Sequence, residues 1–553
     1  MFLDYSRRVA GAIREETGGA DPTLTDGGIH ADLASTIAFS LAKAERRSPA
    51  AIAGELAKRL SLRPDLAGIR IEAKGPYLNF IFGAEYLSDS IREAVKPGYG
   101  TLPGREGRVV IEHTSANPNG PLHVGHIRNT IIGDCLARAF RKAGHRIETH
   151  YYVNDMGRQI AIVVWAVDRY GPGDPGEKGD DRIARAYIQA NRDLEGSPGS
   201  APEIDGLMQK VEAGDPEVMR KFRSAVTICL DGIKKTLSDL GVSHDRFIWE
   251  SDFVRNGDVE RVLGRIKRLA EYREDETVWL DLTAAGFEKP YILRRSDGTT
   301  VYAARDIAYH IWKARNFGRI IDVLGADHKL IGAQLVTTLG LLGETPPTIV
   351  HFEFVSLPEG SMSTRQGKFV SADALLAEVA ARALDEVSSR RTELPESARR
   401  AIARSVAIAA IRYDMVKISP EKAMVFDWKE ALDFERQSGP YIQYAHARAC
   451  SILERAGAFS PAFEYRDPME IALVKAIARF PAVVEQVTLE LRPHLLASYV
   501  HELANLWNTF YQHVPVLKSE GVTRESRLTL VTATANTLSE ALLTLGIDAL
   551  DTM

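Results

Sequence analysis

Three cysteines among 553 residues, Cys135, Cys229 and Cys450, are too few and too scattered for a disulfide framework, and none has the paired spacing of a zinc site. A reducing cytoplasm is the expected setting. Long hydrophobic runs are also missing: the longest uninterrupted apolar stretch is residues 160–167, far short of the ~20 residues that cross a bilayer. The opening MFLDYSRRVAGAIREET is spaced as an amphipathic helix and lacks the continuous apolar core of a signal peptide, so neither secretion nor membrane insertion is expected. Low-complexity tracts and solenoid-period repeats are absent. A formal net charge of −5 argues against indiscriminate polyanion binding, although a local basic surface is compatible with it.

What is present is the composition of a folded protein, 45% hydrophobic and 26% charged, at a length that calls for several modules. Residues 29–44 and 49–60 have helical periodicity, and the alternating IRIEAKGPYLNFIFG that follows reads as strands broken at Gly75-Pro76. A small α+β domain over 1–95 is expected. After a Gly- and Pro-rich linker, a strand at 108–113, a helix at 127–143 stopped by Gly144 and a strand at 146–153 make a βαβ unit, which implies a Rossmann-like parallel sheet over 105–371. Strands at 277–282, 291–295 and 320–324 and a helix at 306–314 are expected to complete that sheet. The stretch 171–214 contains GPGDPGEKGDD and EGSPGSAPE around one short helical segment, the composition of an exposed insertion whose removal is expected to be tolerated. Beyond Ala372 nearly every segment has a 3.6-residue period, expected as a helical stem over 372–434 and a helix bundle over 435–553. The fold class is therefore multidomain, α/β plus all-α.

The chemistry concentrates in SANPNGPLHVGH, residues 115–126, between a strand and a helix. Ligands of doubly wound sheets sit beyond strand carboxyl ends, at helix N-termini whose free N–H groups attract phosphate. Pro118 and Pro121 restrict the loop, and Gly125 lets a nucleotide approach the backbone. His123 and His126, three apart, project from one helical face and offer two donors to a charge developing on an α-phosphate. Taken alone, the pair also reads as capping or surface histidines.

His123-Val124-Gly125-His126 resembles the HIGH signature of class I aminoacyl-tRNA synthetases, and the longer EHTSANPNGPLHVGHIRNTIIGDCLARAFRKAGH with YYVNDMGRQ resembles the arginyl-tRNA synthetases in particular. HADLASTIAFSLAK and KGPYLNFIF resemble that family's N-terminal domain. GPYIQYAHARACSIL and LANLWNTFYQHVPVL resemble its anticodon-binding domain, and the chain ends at Met553 as that family often does. The insertion is outside the resemblance. The implied activity is formation of arginyl-adenylate from L-arginine and ATP with Mg²⁺, then transfer of arginine to the 3′ end of its tRNA, by a monomer. A catalytically silent tRNA-binding paralogue and a class I synthetase of another specificity are the alternative readings.

A guanidinium ligand needs a carboxylate and planar acceptors. Tyr302 and Asp306, four apart, share a helical face opposite Ile307, Ile311 and Trp312, and the resemblance makes them the residues that grip the arginine side chain. Without it, Asp306 reads as a surface carboxylate paired with Arg305 or His310. The resemblance also implies Glu112 and Asn117 at the α-amino and carboxylate groups, with Ser115 and His123 in the same pocket; where many relatives carry a glutamine shortly after the next strand, this sequence has Asp327-His328 and later Gln334, and His328 and Gln334 are the candidates for that wall. Gly325, Asp327, His328, Met362 and Ser363 join His123, Gly125 and His126 around ATP. In place of the family's KMSKS loop stands Ser361-Met362-Ser363-Thr364-Arg365-Gln366-Gly367-Lys368. Ser361 and Thr364 occupy the lysine positions, and Gly120 occupies the place where some relatives have a compensating lysine. Arg365 and Lys368 are then the available charges for the leaving pyrophosphate, together with Ser363; as a bare sequence, the segment is an exposed basic turn. Tyr441, Tyr444 and Arg448 bring two rings and a cation to one helical face, either as a buried bundle helix or, as the resemblance implies, as an anticodon surface completed by Met553.

Overall fold

A computed structural model describes residues 1–28, 30–196, 201–266, 271–272, 277–358 and 370–553. The chain begins with α1 (Phe2–Glu16), β1 (Leu24–Asp26), β2 (Leu33–Ser35), α2 (Ile37–Glu45), α3 (Pro49–Ser61), β3 (Ile69–Lys74), β4 (Tyr77–Phe82) and α4 (Ala84–Ala94). Its four strands form an antiparallel sheet in the order β1-β2-β4-β3. The helix expected over 29–44 is two elements instead. Leu33, Ala34 and Ser35 are buried and pair with Phe80, Asn79 and Leu78, and helix begins only at Ile37. Buried Asp32 accepts the Phe82 N–H at 2.8 Å and pairs with Lys475 at 2.8 Å, which holds the backbone extended before the helix. Sheet pairing here outweighs the local apolar spacing.

The middle of the chain runs β5 (Arg108–Glu112), α5 (Val124–Lys142), β6 (Arg146–Val153), α6 (Arg158–Tyr170), α7 (Gly179–Gly196), α8 (Ala201–Glu212), α9 (Pro216–Asp239), β7 (Arg246–Trp249), α10 (Glu250–Arg255), α11 (Asp258–Ile266), β8 (Glu271–Tyr272), β9 (Val278–Leu280), β10 (Tyr291–Arg294), α12 (Tyr302–Asn316), β11 (Arg319–Gly325), α13 (Lys329–Leu341), β12 (Thr348–Phe352) and β13 (Val355–Ser356). Five strands pair in parallel in the order β12-β11-β5-β6-β7. The expected βαβ unit is its centre. The strands expected at 277–282 and 291–295 do not join it; β10, β9 and β8 form a separate antiparallel sheet. A short connection between β9 and β10 permits antiparallel pairing, whereas entry into a parallel sheet needs a crossover of a dozen or more residues. The described residues of 171–214 also carry more regular structure than their composition suggests. They hold two helices, α7 and α8, whose Ile183, Ala190, Ile204 and Val211 are buried in the main core.

The last part of the chain is helical: α14 (Ala372–Arg390), α15 (Glu396–Lys417), the short β14 (Met424–Val425) paired with β13, then α16 (Trp428–Ala431), α17 (Gly439–Ala456), α18 (Pro468–Ala478), α19 (Phe480–Glu490), α20 (His494–His513) and α21 (Gly521–Thr544). No helix among the described residues is long and apolar enough to cross a membrane. The bundle is fastened to the sheet domain by Arg412 of α15, which is fully buried. Its guanidinium donates to the carbonyls of Leu545 and Leu240 at 3.0 Å each and pairs with Asp134 of α5. Gly546 packs directly on this guanidinium, and no Cβ fits there. Removing one partner of a buried ion pair leaves an uncompensated charge. Arg412→Ala is therefore expected to lower the free energy of unfolding by about 3–5 kcal/mol, read from urea denaturation.

Candidate active site

The order β12-β11-β5-β6-β7 reverses direction between β11 and β5, and the crevice beyond such a reversal is where doubly wound sheets bind ligands. The chain leaves β5 through Thr114 and Ser115, both at positive φ (70° and 37°), a left-handed conformation that costs energy for a residue with a Cβ. Asn129 of α5 holds this turn: its Oδ1 accepts the Thr114 N–H at 2.8 Å, and its Nδ2 donates to the Val323 carbonyl of β11 at 3.0 Å. One side chain thus ties together β5, α5 and β11.

His123 is the N-cap of α5, and it forms a reciprocal cap with His126. Each backbone N–H donates to the other ring's Nδ1, at 3.3 and 3.4 Å, and the rings stack with centroids 3.6 Å apart. An N–H can only donate, so both Nδ1 atoms act through their lone pairs and both ring protons lie on Nε2. Burial lowers the pKa of both imidazoles, that of His126 well below its ordinary value with His123 adding to the effect. Two neutral, half-buried rings therefore present Nε2–H donors at a helix N-terminus. The capping and functional readings of the sequence are compatible, because capping uses one nitrogen of each ring. A Cβ on Gly125 would stand 3.0 Å from His123 Cε1, so this glycine is what lets the ring fold back.

On α12 the bare-sequence alternative of Asp306 as a surface carboxylate fails. Ile307 and Ile311 face a satellite core as expected, but the opposite face is not a solvent face: Asp306, His310 and Lys313 are all buried. Arg305 turns away, its Nε donating to buried Glu250 Oε1 at 2.6 Å. Burial pushes the Glu250 carboxyl up to about 7 against the pull of Arg305. Asp306 instead lies beside His310, with Oδ1 at 3.1 Å from Nδ1. His310 Nε2 is 2.7 Å from Asp322 Oδ2, and Lys313 Nζ is 2.7 Å from Asp322 Oδ1 while also bonding Glu112 Oε2. Glu112 Oε1 accepts from Ser115 Oγ at 3.0 Å, and that oxygen in turn accepts the Tyr152 N–H at 3.0 Å. Lys313 and Asp322 went unread in the sequence, and His310 entered only as a possible surface partner of Asp306. The signal available was the 306, 310, 313 spacing of three ionisable residues in an otherwise apolar helix.

A cavity of about 240 Å³ borders this helix, lined by Asn154, Gln159, Glu212, Thr300, Tyr302 and Arg305 among others. Asn117 is exposed beside it, its Nδ2 donating to Gln159 Oε1 at 3.0 Å. Gly325 ends β11, Asp327 and His328 follow it, and Gln334 is buried within α13. The segment Ser361 to Lys368, with Met362, Ser363, Thr364, Arg365, Gln366 and Gly367, lies outside the described residues. Just after it, Ser371 forms a bridge with His123 and caps α14.

In the bundle, Tyr441, Tyr444 and Arg448 share one face of α17. Arg448 lies over two rings, Tyr444 at 4.7 Å and Tyr511 of α20 at 4.6 Å, and donates to Asn508 Oδ1 at 2.6 Å. Tyr444 and Tyr511 are exposed. Tyr511 was not a candidate from sequence, since only packing of α20 on α17 brings it here. The other side of α17 holds the C-terminal segment through Gln443 and His446, and the Met553 carbonyl accepts from Arg391. Among the described residues, none of the hydrogen bonds or ring contacts of Tyr441, Tyr444 and Arg448 reaches Met553.

The His310 environment has a consequence for stability. Burial and Lys313 disfavour its charge, but Asp306 and Asp322 outweigh them and raise its pKa from 6.5 to about 10. The stability this group contributes is complete below about pH 6.5, declines as the pH rises and is lost beyond about 10. The urea midpoint is expected to fall between those limits, and to fall less steeply in His310→Asn.

The family model described as tRNA synthetases class I (R), catalytic domain, matches residues 95–428. The models for the arginyl tRNA synthetase N terminal domain and the DALR anticodon binding domain match residues 14–82 and 442–553. The chain is 62% identical to an arginine–tRNA ligase of Methanosphaerula palustris and 47% identical to one of Archaeoglobus fulgidus, with 100% of each chain covered in both. Among solved structures, Thermus thermophilus arginyl-tRNA synthetase superposes with a TM-score of 0.88 at 32% identity, over 99% of both chains. With three family models in sequence order, full-length relatives and a paired-imidazole cap at the switch point, this chain belongs to the arginyl-tRNA synthetase family of class I.

Proposed function

We propose that the residues gathered between β5 and β11 carry both half-reactions of an arginine–tRNA ligase. In the first, the carboxylate of L-arginine attacks the α-phosphorus of ATP, the α–β bridging bond breaks, and pyrophosphate leaves. In the second, a 3′-terminal hydroxyl of the tRNA attacks the arginyl carbonyl carbon and AMP departs. The observation that carries this reading is the pair of Nε2–H donors at the start of α5, set beside a crevice with buried Glu112 and Asp306.

His123 and His126 donate to the phosphate oxygens as charge builds there, and remain neutral while doing so. Preorganised donors of this kind are each worth about 3–4 kcal/mol in a transition state. Asp306 receives the guanidinium and Tyr302 flanks the alkyl stem; Glu112 and Asn117 hold the α-amino and carboxylate ends, with Ser115, His328 and Gln334 completing the pocket. Gly125, Gly325 and Asp327 border ATP, which arrives as its Mg²⁺ complex. Met362, Ser363, Arg365 and Lys368 are the groups assigned to the leaving pyrophosphate. Tyr444 and Tyr511 are exposed rings with a guanidinium between them, an arrangement suited to stacking an unpaired RNA base. Tyr441 extends that surface, and Met553 is assigned to the anticodon from the other side of α17. The enzyme works as a monomer in the cytoplasm.

In a charging assay across the twenty amino acids, only arginine is expected to be esterified; charging with another one instead would reassign the pocket. His126→Ala is expected to reduce turnover about 10²- to 10³-fold with little change in arginine KM. Asp306→Asn is expected to weaken arginine by roughly 2–5 kcal/mol, because a neutral amide cannot balance the guanidinium. Arg448→Ala is expected to raise the KM for tRNA roughly tenfold by loss of a stacking partner worth about 1–3 kcal/mol, while tRNA-independent properties such as ATP affinity stay unchanged.

A further inference from the structure

The hydrogen bonds around α12 settle which of its buried groups are charged. His310 Nδ1 faces the Asp306 carbonyl at 2.9 Å as well as its carboxylate, and Nε2 faces the Asp322 carboxylate. All of these are acceptors, so a neutral ring would set one nitrogen lone pair against oxygen. The ring is an imidazolium. Lys313 Nζ lies 3.2 Å from His310 Nε2, a meeting of two cations tolerated because the Asp322 carboxylate bonds both. Glu112 Oε2 accepts from the Lys313 ammonium and Oε1 bonds the Ser115 hydroxyl, so that although burial pushes its carboxyl up, the ion pair with Lys313 favours the charged form. It is a carboxylate.

The buried group therefore holds three carboxylates, Glu112, Asp306 and Asp322, against two cations. One negative charge is left over. Within the group, Glu112 and Asp322 stand in register on neighbouring strands and share Lys313, while Asp322 also binds His310. Among the described residues, only His310 pairs with the Asp306 carboxylate, and it does so through one oxygen. An unbalanced buried charge is costly until a cation meets it.

We propose that His310 is a positioning residue for arginine: as an imidazolium clamped between Asp306 and Asp322, it holds the Asp306 carboxylate in the orientation that receives the guanidinium. The network's excess negative charge is the charge that the substrate neutralises. This rests on the assignment of Asp306 to the guanidinium made above. His310 acts through Asp306 and does not touch the substrate, so its removal alters arginine binding rather than the chemical step.

The test is a double-mutant cycle in full-length enzyme: His310→Asn, Asp306→Asn and the double variant, with Asp322→Asn as a near-isosteric second probe of the charge balance. Arginine KM, ATP KM and kcat are measured by charging of an arginine tRNA. His310→Asn is expected to raise arginine KM about tenfold or more, with kcat at saturating arginine within a few-fold of the parent and ATP KM unchanged. In the Asp306→Asn background the same change is expected to add little, because the residue it positions is already lost. Asp322→Asn, which cancels the excess charge without touching Asp306, is expected to weaken arginine too, and it decides the matter if His310→Asn does not fold. Unchanged arginine KM in His310→Asn or, where that variant does not fold, in Asp322→Asn overturns the proposal; so do penalties from His310 and Asp306 that simply add. If Asp306→Asn itself binds arginine normally, the pocket assignment is what fails, and the positioning role falls with it.

Discussion

Glu112 and Asp322 face one another in register across β5 and β11, where the parallel sheet reverses. Two like charges at that distance from water are tenable only with a cation between them, and Lys313 is that cation. The requirement reaches well beyond the ion pair. Lys313 can stand there only if α12 lies along this face of the sheet at one particular rotation. That rotation also buries His310 and Asp306 one and two turns earlier and sets Tyr302 at the helix start. The amino-acid pocket is thus a consequence of how one helix solves a charge problem made by two strands.

The nucleotide side of the crevice has a comparable economy. α5 enters the same gap, and its first turn is closed by side chains that also present donors outward. Asn129, one turn on, holds the strained exit of β5 and reaches β11. Beside it, Arg128 donates to carbonyls of Glu353 and Ser419, and further along Asp134 receives Arg412 of the bundle. α5 is buried along most of its length because it lies between the sheet and the C-terminal helices. The element that presents the imidazoles is the one that joins the catalytic and anticodon-binding regions.

Much of this was legible in the order of residues. The βαβ unit, the position of His123 and His126 at a helix start, and the shared face of Tyr441, Tyr444 and Arg448 all follow from local periodicity and short spacing. The failures share a cause. Residues 33–35 were read as helix because their apolar spacing permits it, and only pairing with 78–80 makes them a strand. β9 and β10 look like any buried strands, and nothing local says which sheet they enter. The polar face of α12 was taken as the side away from the core, since a sequence cannot show that two strands bring carboxylates to meet it.

By itself, then, the sequence determined most of the elements, the family and the residue types that can do adenylyl chemistry, because these depend on neighbours within a helical turn or a strand pair. The tertiary structure alone decided which nitrogen of each histidine is free, which carboxylate is left partly unbalanced, and which ring of α20 joins Arg448. Those properties belong to pairs of groups far apart along the chain. Protonation and orientation are set by what faces a side chain, and that is fixed only when the helices have packed.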